Sequence, residues 1–139
     1  MDLVFLVARA FVAGIFILSG IGHFAQADGM AQYAQAKGVP AAKAGVLFSG
    51  VLALVGGLSV LLGVYPDLGA LLLVVFLVPV TFFMHAFWKE TDPMAKQTEN
   101  IAFMKNVGLI GAALLIFYVV NQTQDVAAGL ISSPLFDTF

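Results

Sequence analysis

Four stretches of about twenty consecutive, mostly apolar residues constrain this chain more than any other feature. They cover residues 3–24, 43–64, 68–87 and 101–120 of a 139-residue sequence. A helix of roughly 20 residues crosses the hydrocarbon core of a bilayer. There every backbone amide and carbonyl must find its partner within the protein, which a helix provides and an open strand does not. Barrel strands would show short alternating segments, whereas these runs are continuously apolar. Composition agrees: 61% of residues are hydrophobic and 10% charged, against about 25% charged in soluble domains. The sequence therefore predicts one all-α domain, a polytopic membrane protein with a four-transmembrane-helix bundle. The first run lacks a basic segment before it and exceeds the apolar core of a signal peptide, so it reads as a retained first helix.

The chain has no cysteine. That removes thiol catalysis, disulfide exchange and cysteine ligation of iron–sulfur clusters, and leaves redox chemistry to a dissociable carrier or a histidine-held group. A net charge of -2 without a basic patch makes nucleic acid an unsuitable partner. Lysines outside the runs occur in two places. Lys37 and Lys43 flank the first connection, and Lys89, Lys96 and Lys105 lie in or border the third; the second connection, around Tyr65-Pro66-Asp67, has none. The positive-inside rule places connections one and three in the cytoplasm and both termini outside.

The first connection has its own punctuation. Asp28 suits a helix start, Gly38 a helix end, and Pro40 the first turn of the next helix. Met30, Tyr33 and Lys37 fall on one face between them, as in a short helix lying in the headgroup region; an ordinary polar loop is the alternative. In the third connection Asp92-Pro93 reads as an N-cap and first helical residue, so the last helix starts before its apolar part. Glu90, Asp92 and Glu99 read as parts of a solvated loop.

Small residues mark packing faces. Gly45, Ser49, Ala53 and Gly57 recur at four-residue intervals in the second run, Gly108 and Ala112 in the fourth, and Ala10 and Gly14 in the first; such stripes let helix backbones approach closely. Pro79 removes one amide donor and is expected to kink the third helix.

The few polar side chains inside or at the ends of the runs are the candidates for function, because lipid exposure of ionisable groups is costly. Arg9, Phe16 and His23 are seven residues apart and share a face. Arg9 reads as structural, snorkelling outward or pairing with Asp67, Asp125 or a carbonyl. His85 and Trp88 are adjacent on one helical face, and Lys105 and Asn106 follow Phe103. With alternating helix directions, all of these except Arg9 fall at the cytoplasmic end. His23, His85, Trp88, Lys105 and Asn106 could together hold the polar head of a quinone-like ligand whose tail lies in the bilayer. Against this stand interfacial anchoring by Trp88 and Lys105 and separate structural roles for the two histidines. Two histidines without a third ligand make a poor metal site, and bis-histidine haem would sit near an interface rather than mid-bundle.

At these residues the chain resembles the DoxX family of small four-helix bacterial membrane proteins. The resemblance runs from about Arg9 to Tyr118 and rests on Arg9, Gly20 and His23, Gly38-Val39-Pro40, Gly56-Gly57 with Gly63, His85-Ala86-Phe87-Trp88 and Phe103-Met104-Lys105-Asn106. It departs at Ala53, where many relatives carry a glutamate that could partner the first-helix arginine. The resemblance implies a multi-pass protein of the bacterial inner membrane. Its implied role is that of a membrane subunit in quinone-linked oxidation or a partner in oxidative-stress systems. The leading expectation is thus a redox-linked component binding a quinone or similar lipophilic carrier. The alternative is a non-enzymatic anchor or assembly subunit packing against itself, as a homo-oligomer, or against a larger complex. A transporter ranks third, since four short helices show no paired broken segments.

Overall fold

The computed structural model describes residues 3–122 and 129–136. Five helices follow one another: α1 Leu3–Ala25, α2 Ala27–Ala36, α3 Ala42–Leu62, α4 Pro66–Met84 and α5 Pro93–Gln122, with a short 3-10 turn, Phe87–Lys89, between the last two. All but α2 are long and apolar enough to cross a membrane. α3 packs on α1 and α4, α5 packs on α4, and α2 lies across the start of α3. The ends joined by α2 and by the 3-10 turn form one end of the bundle, and the α3–α4 turn with residues 129–136 forms the other.

The interior follows a seven-residue rhythm. Arg9, Phe16 and His23 are buried on α1, as are Val46, Gly50, Ala53, Gly57 and Val60 on α3, and Glu99, Asn106, Ala113 and Val120 on α5. A seven-residue repeat keeps one seam of a helix facing its neighbour in a left-handed bundle. Backbones come close along the α1–α3 seam. A Cβ added at Gly57 would lie 2.9 Å from Ile17 Cγ1, and one at Gly50 would lie 2.8 Å from His23 Cβ. Phe76 of α4 reaches α1 edge-on, 6.2 Å from Phe16 and 5.7 Å from His23 between ring centres.

The four-residue stripe meets this seam only in part. Ala53 and Gly57 are buried. Around Gly45 and Gly108 a Cβ would meet nothing within 4 Å, and Ser49 and Ala112 are half-buried. Each four-residue step overshoots a 3.6-residue turn by about 40°, so the stripe winds off the seam. α4 runs on through Pro79 without a break.

Helix ends are punctuated much as the sequence predicts. Gly38, at φ +83, ends α2, with its amide on the Gln35 carbonyl and that of Val39 on Ala34; this is a Schellman closure, which glycine adopts without a Cβ penalty. The short helix is therefore present, although it begins at Ala27, and Asp28 pairs with Lys43 at 2.8 Å rather than capping it. Pro40 falls just before α3, which opens at Ala42. Asp92 Oδ2 accepts the Ala95 amide at 2.8 Å and Pro93 opens α5. Glu99 lies inside that helix and is 8% exposed, which corrects the solvated-loop reading: the 30-residue α5 is about 45 Å long and brings its first turns back over the bundle end. α4 stops at Met84, with His85 as its C-cap.

Arg9 closes the other end. It is 2% exposed, and its Nε donates to the Val60 carbonyl at 2.9 Å, Nη2 to Leu61 at 2.8 Å and Nη1 to Gly129 at 3.2 Å. The last carbonyls of a helix lack partners within it and carry the negative end of its dipole. A guanidinium, with its fork of donors, is suited to satisfy them. Of the partners considered for Arg9 it is carbonyls that it uses; Asp67 accepts the Phe136 amide instead, and Asp125 lies outside the described residues.

Candidate functional site

At the α2 end of the bundle, two segments, α2 with its C-cap and the end of α4, converge on Glu99 of α5. Its Oε2 lies 2.7 Å from His85 Nδ1 at the end of α4, while Oε1 accepts from the Tyr33 hydroxyl at 2.6 Å and from Lys37 Nζ at 3.2 Å, both at the end of the bundle that α2 spans. Lys37 also reaches Glu90 Oε1 at 2.6 Å. An ionised carboxylate only accepts hydrogen bonds, so in the neutral imidazole the bond to Glu99 puts the His85 proton on Nδ1 and leaves Nε2 with its lone pair. About a quarter (24%) of the His85 side chain is exposed. The result is an imidazole held in one tautomer by a carboxylate, able to accept a proton or a hydroxyl donor on its free side.

Two groups on the α2 segment respond to this site electrostatically. The hydrogen bond to Glu90, reinforced by Glu99, pushes Lys37 above the usual lysine range. Burial, and then the hydrogen bond to Glu99, raises the Tyr33 phenol. Both remain protonated donors through the neutral range, tying α2 across the bundle end.

Beside the polar cluster stands an aromatic one. Phe103 of α5 meets Phe82, Phe87 and Trp88 with ring centres 5.4 to 5.7 Å apart, each near perpendicular. Trp88 also packs on Phe87 at 5.2 Å, yet half of it remains exposed. Edge-to-face pairs contribute about 0.5–1.5 kcal/mol each beyond burial, so they fix the 3-10 turn beside His85.

The sequence candidates are distributed unevenly over this geometry. His85 is at the centre and Trp88 forms an aromatic wall. His23 is 8% exposed, with Nδ1 2.7 Å from the Ser19 carbonyl and its ring against Phe76; no hydrogen bond or ring contact joins it to His85 among the described residues. Asn106 is 5% exposed and shares the buried seam of α5 with Glu99. Lys105 is exposed. Sequence reasoning missed Glu99, Tyr33, Lys37 and Glu90 as site residues. The seven-residue row from Val120 back through Ala113 and Asn106 leads to Glu99, and that was the available signal.

Residues 4–86, more than half of the chain, match DoxX. The chain belongs to the DoxX family. The match spans α1 to α4 and ends at Ala86, just past His85, so the α5 half of the candidate site lies beyond the matched residues. The inner membrane protein YphA of Escherichia coli (strain K12) is 29% identical over 111 residues, which cover 80% of this chain and 79% of the relative. No solved structure matches the chain significantly. At Ala53, where a glutamate is common in the DoxX resemblance, the side chain is fully buried. Arg9 has its carbonyl partners without such a carboxylate.

Proposed function

We propose that this DoxX protein resides in an inner membrane, as its Escherichia coli relative does by name, and binds a quinone or similar lipophilic carrier at the α2 end of its bundle. The observation that carries the reading is the His85–Glu99 pair, 2.7 Å long, at the junction of an apolar bundle and a polar surface. A carrier with a long apolar tail can keep that tail in lipid while its oxygenated ring meets His85 Nε2, with Trp88 and Phe103 as stacking surfaces. Glu99 fixes the tautomer and stabilises the imidazolium that forms when His85 takes a proton. Electrons would pass to or from a partner protein. His85 is thus the ligand-contacting residue, with Glu99 positioning it.

Charge distribution supports placing this end in the cytoplasm. Lys37, Lys43, Lys89 and Lys96 all lie at the α2 end, while Arg9, at the opposite end, is buried on helix carbonyls and acts as a cap rather than as a loop charge. Titration of the purified protein with a tailed quinone analogue tests the reading. His85→Ala should weaken binding at least about tenfold, roughly the worth of one hydrogen bond to a well-placed group, and Glu99→Gln by a smaller factor. Binding indifferent to His85→Ala would remove the proposed site.

The second reading, an assembly subunit without its own chemistry, is favoured by Gly45 and Gly108. Both sit on exposed surface with open space around them, where another helix could approach. It predicts a complex that survives gentle extraction and is lost on Gly108→Leu, with no ligand effect.

A further inference from the structure

α2 and its C-cap bring two donors to the candidate site, and both end on the same atom. The Tyr33 hydroxyl donates to Glu99 Oε1 at 2.6 Å and Lys37 Nζ to the same oxygen at 3.2 Å, while Oε2 faces His85. Any donor and acceptor could tie α2 across the bundle end; these two end on the carboxylate that holds the histidine. Lys37 is shared with Glu90, at 2.6 Å. The cluster thus sets two carboxylates against one ammonium, one positive charge short of balance while His85 is neutral.

The proton count of the His85–Glu99 pair decides what the site offers a ligand. With a single proton, the carboxylate draws it to Nδ1 and Nε2 accepts. With a second proton, whether on the imidazole or on the carboxyl group, Nε2 carries hydrogen and donates, since the two groups titrate as a unit. The first state matches a ligand hydroxyl and the second a ligand carbonyl. Hydrogen bonds to a carboxylate, and a positive charge beside it, favour its ionised form. Tyr33 supplies a hydrogen bond and Lys37 both, so together they oppose the second proton.

We propose that Tyr33 and Lys37 determine the specificity of the carrier site: by keeping Glu99 ionised they make His85 an acceptor, and so favour the hydroxyl-bearing, reduced form of the carrier over its carbonyl form. The inference rests on the carrier-binding reading above and adds to it two positioning residues and a preferred redox form. Both act through Glu99. When the ligand hydroxyl gives its proton to Nε2, an O–H bond breaks, an N–H bond forms and the electron pair stays on the ligand oxygen. That oxygen then accepts from Nε2–H, and the new imidazolium completes the charge balance of the cluster.

The test uses the full-length protein in nanodiscs at one fixed, mildly alkaline pH. The probes are a tailed 1,4-hydroquinone, kept reduced under anaerobic conditions, and the quinone of the same ring and tail. The parent should bind the hydroquinone more tightly. Tyr33→Phe with Lys37→Met should lower the ratio of the two affinities about tenfold, each single variant should lower it by less, and Lys37→Arg should keep it. A merely structural role of α2 would weaken both probes alike and leave the ratio in place. Nitrogen-15 spectra of the ligand-free protein give a second readout, with the His85 signals assigned by their loss in His85→Ala. They should show the proton on Nδ1 alone in the parent and on Nε2 in the double variant. An unchanged ratio, a parent that prefers the quinone, or a parent proton on Nε2, with His85→Ala still weakening both probes, would overturn the role of Tyr33 and Lys37 and leave the carrier site standing. Indifference of both probes to His85→Ala would remove both proposals.

Discussion

At the scale of single residues, the two ends of the bundle use charge in opposite ways. Arg9 gives its donors to the carbonyls of Val60, Leu61 and Gly129, so its charge is spent on a helix end. Arg9→Ala should destabilise the protein by about 2–4 kcal/mol, since a hydrogen bond from a charged group contributes about 1.5–3 kcal/mol and carbonyls left buried and unpaired add to the loss. Arg9→Lys should recover only part of this, because a single ammonium does not reproduce the planar fork. Reversible unfolding in mixed micelles measures both, and an Arg9→Ala variant as stable as its parent would contradict the capping role. Glu99 instead gathers donors from two segments, α2 with its C-cap and the end of α4, and holds the neutral His85 ring in one tautomer. The sequence made Arg9 and His85 conspicuous because both are polar residues embedded in or ending apolar runs. Glu99 was not conspicuous: it precedes the apolar run among other polar residues, and only the inward turn of α5 buries it. Lys105 misled in the opposite direction. It adjoins Asn106 in the chain, but one residue rotates a helix by about 100°, enough to carry it from the seam to the outside.

Among the helices, seams of seven and stripes of four make different predictions. The four spans, the short helix between the first two, and the Asp92-Pro93 start of α5 were legible because length, apolarity and capping chemistry are local properties. Which glycines pack was less legible, because that depends on how helices wind past one another. Gly57 lies against Ile17 and Gly108 against open space. Gly57→Leu should therefore cost at least the roughly 1–3 kcal/mol typical of overpacking, while Gly108→Leu should stay within about 0.5 kcal/mol for the isolated chain. Measured unfolding free energies of the two variants in the monomeric state decide the point, and equal losses would refute the seam assignment. α2 adds a pH signature. Lys37 is raised above its ordinary value chiefly by Glu90, and Tyr33 by burial and then Glu99. For a group whose value rises on folding, the stabilisation is complete below the unfolded value and is lost as pH climbs through the folded one. On the Lys37 and Tyr33 side, amide-exchange protection of residues 27–36 should stay level through neutral pH and fall only in the strongly alkaline range. Lys37→Ala should lower that protection at neutral pH.

The whole molecule is asymmetric along the membrane normal, and this asymmetry ties fold to function. One end is a closed turn, where residues 129–136 fold back so that the Ile131 and Ser132 amides donate to the Gly63 carbonyl. The other end carries lysines, an α2 strap, a carboxylate-held imidazole and an exposed tryptophan. A carrier-binding site at the lysine-rich end requires that end to face the cytoplasm if protons are exchanged with that compartment, so orientation is the property on which the functional reading depends most. The chain supplies a clean means of measuring it, because it has no cysteine of its own. Single-cysteine variants Tyr65→Cys, at the half-exposed α3–α4 turn, and Lys96→Cys, on the exposed face of α5, report the two ends without background. In cells with a permeable outer envelope and an intact inner membrane, a membrane-impermeant maleimide should label Tyr65→Cys. Lys96→Cys should react only after the inner membrane is opened. The reverse pattern would place His85 and Glu99 on the outer face. Proton exchange by His85 would then be with the outer compartment, while Arg9 and the helix seams, which make no reference to the sides of the membrane, would keep their roles.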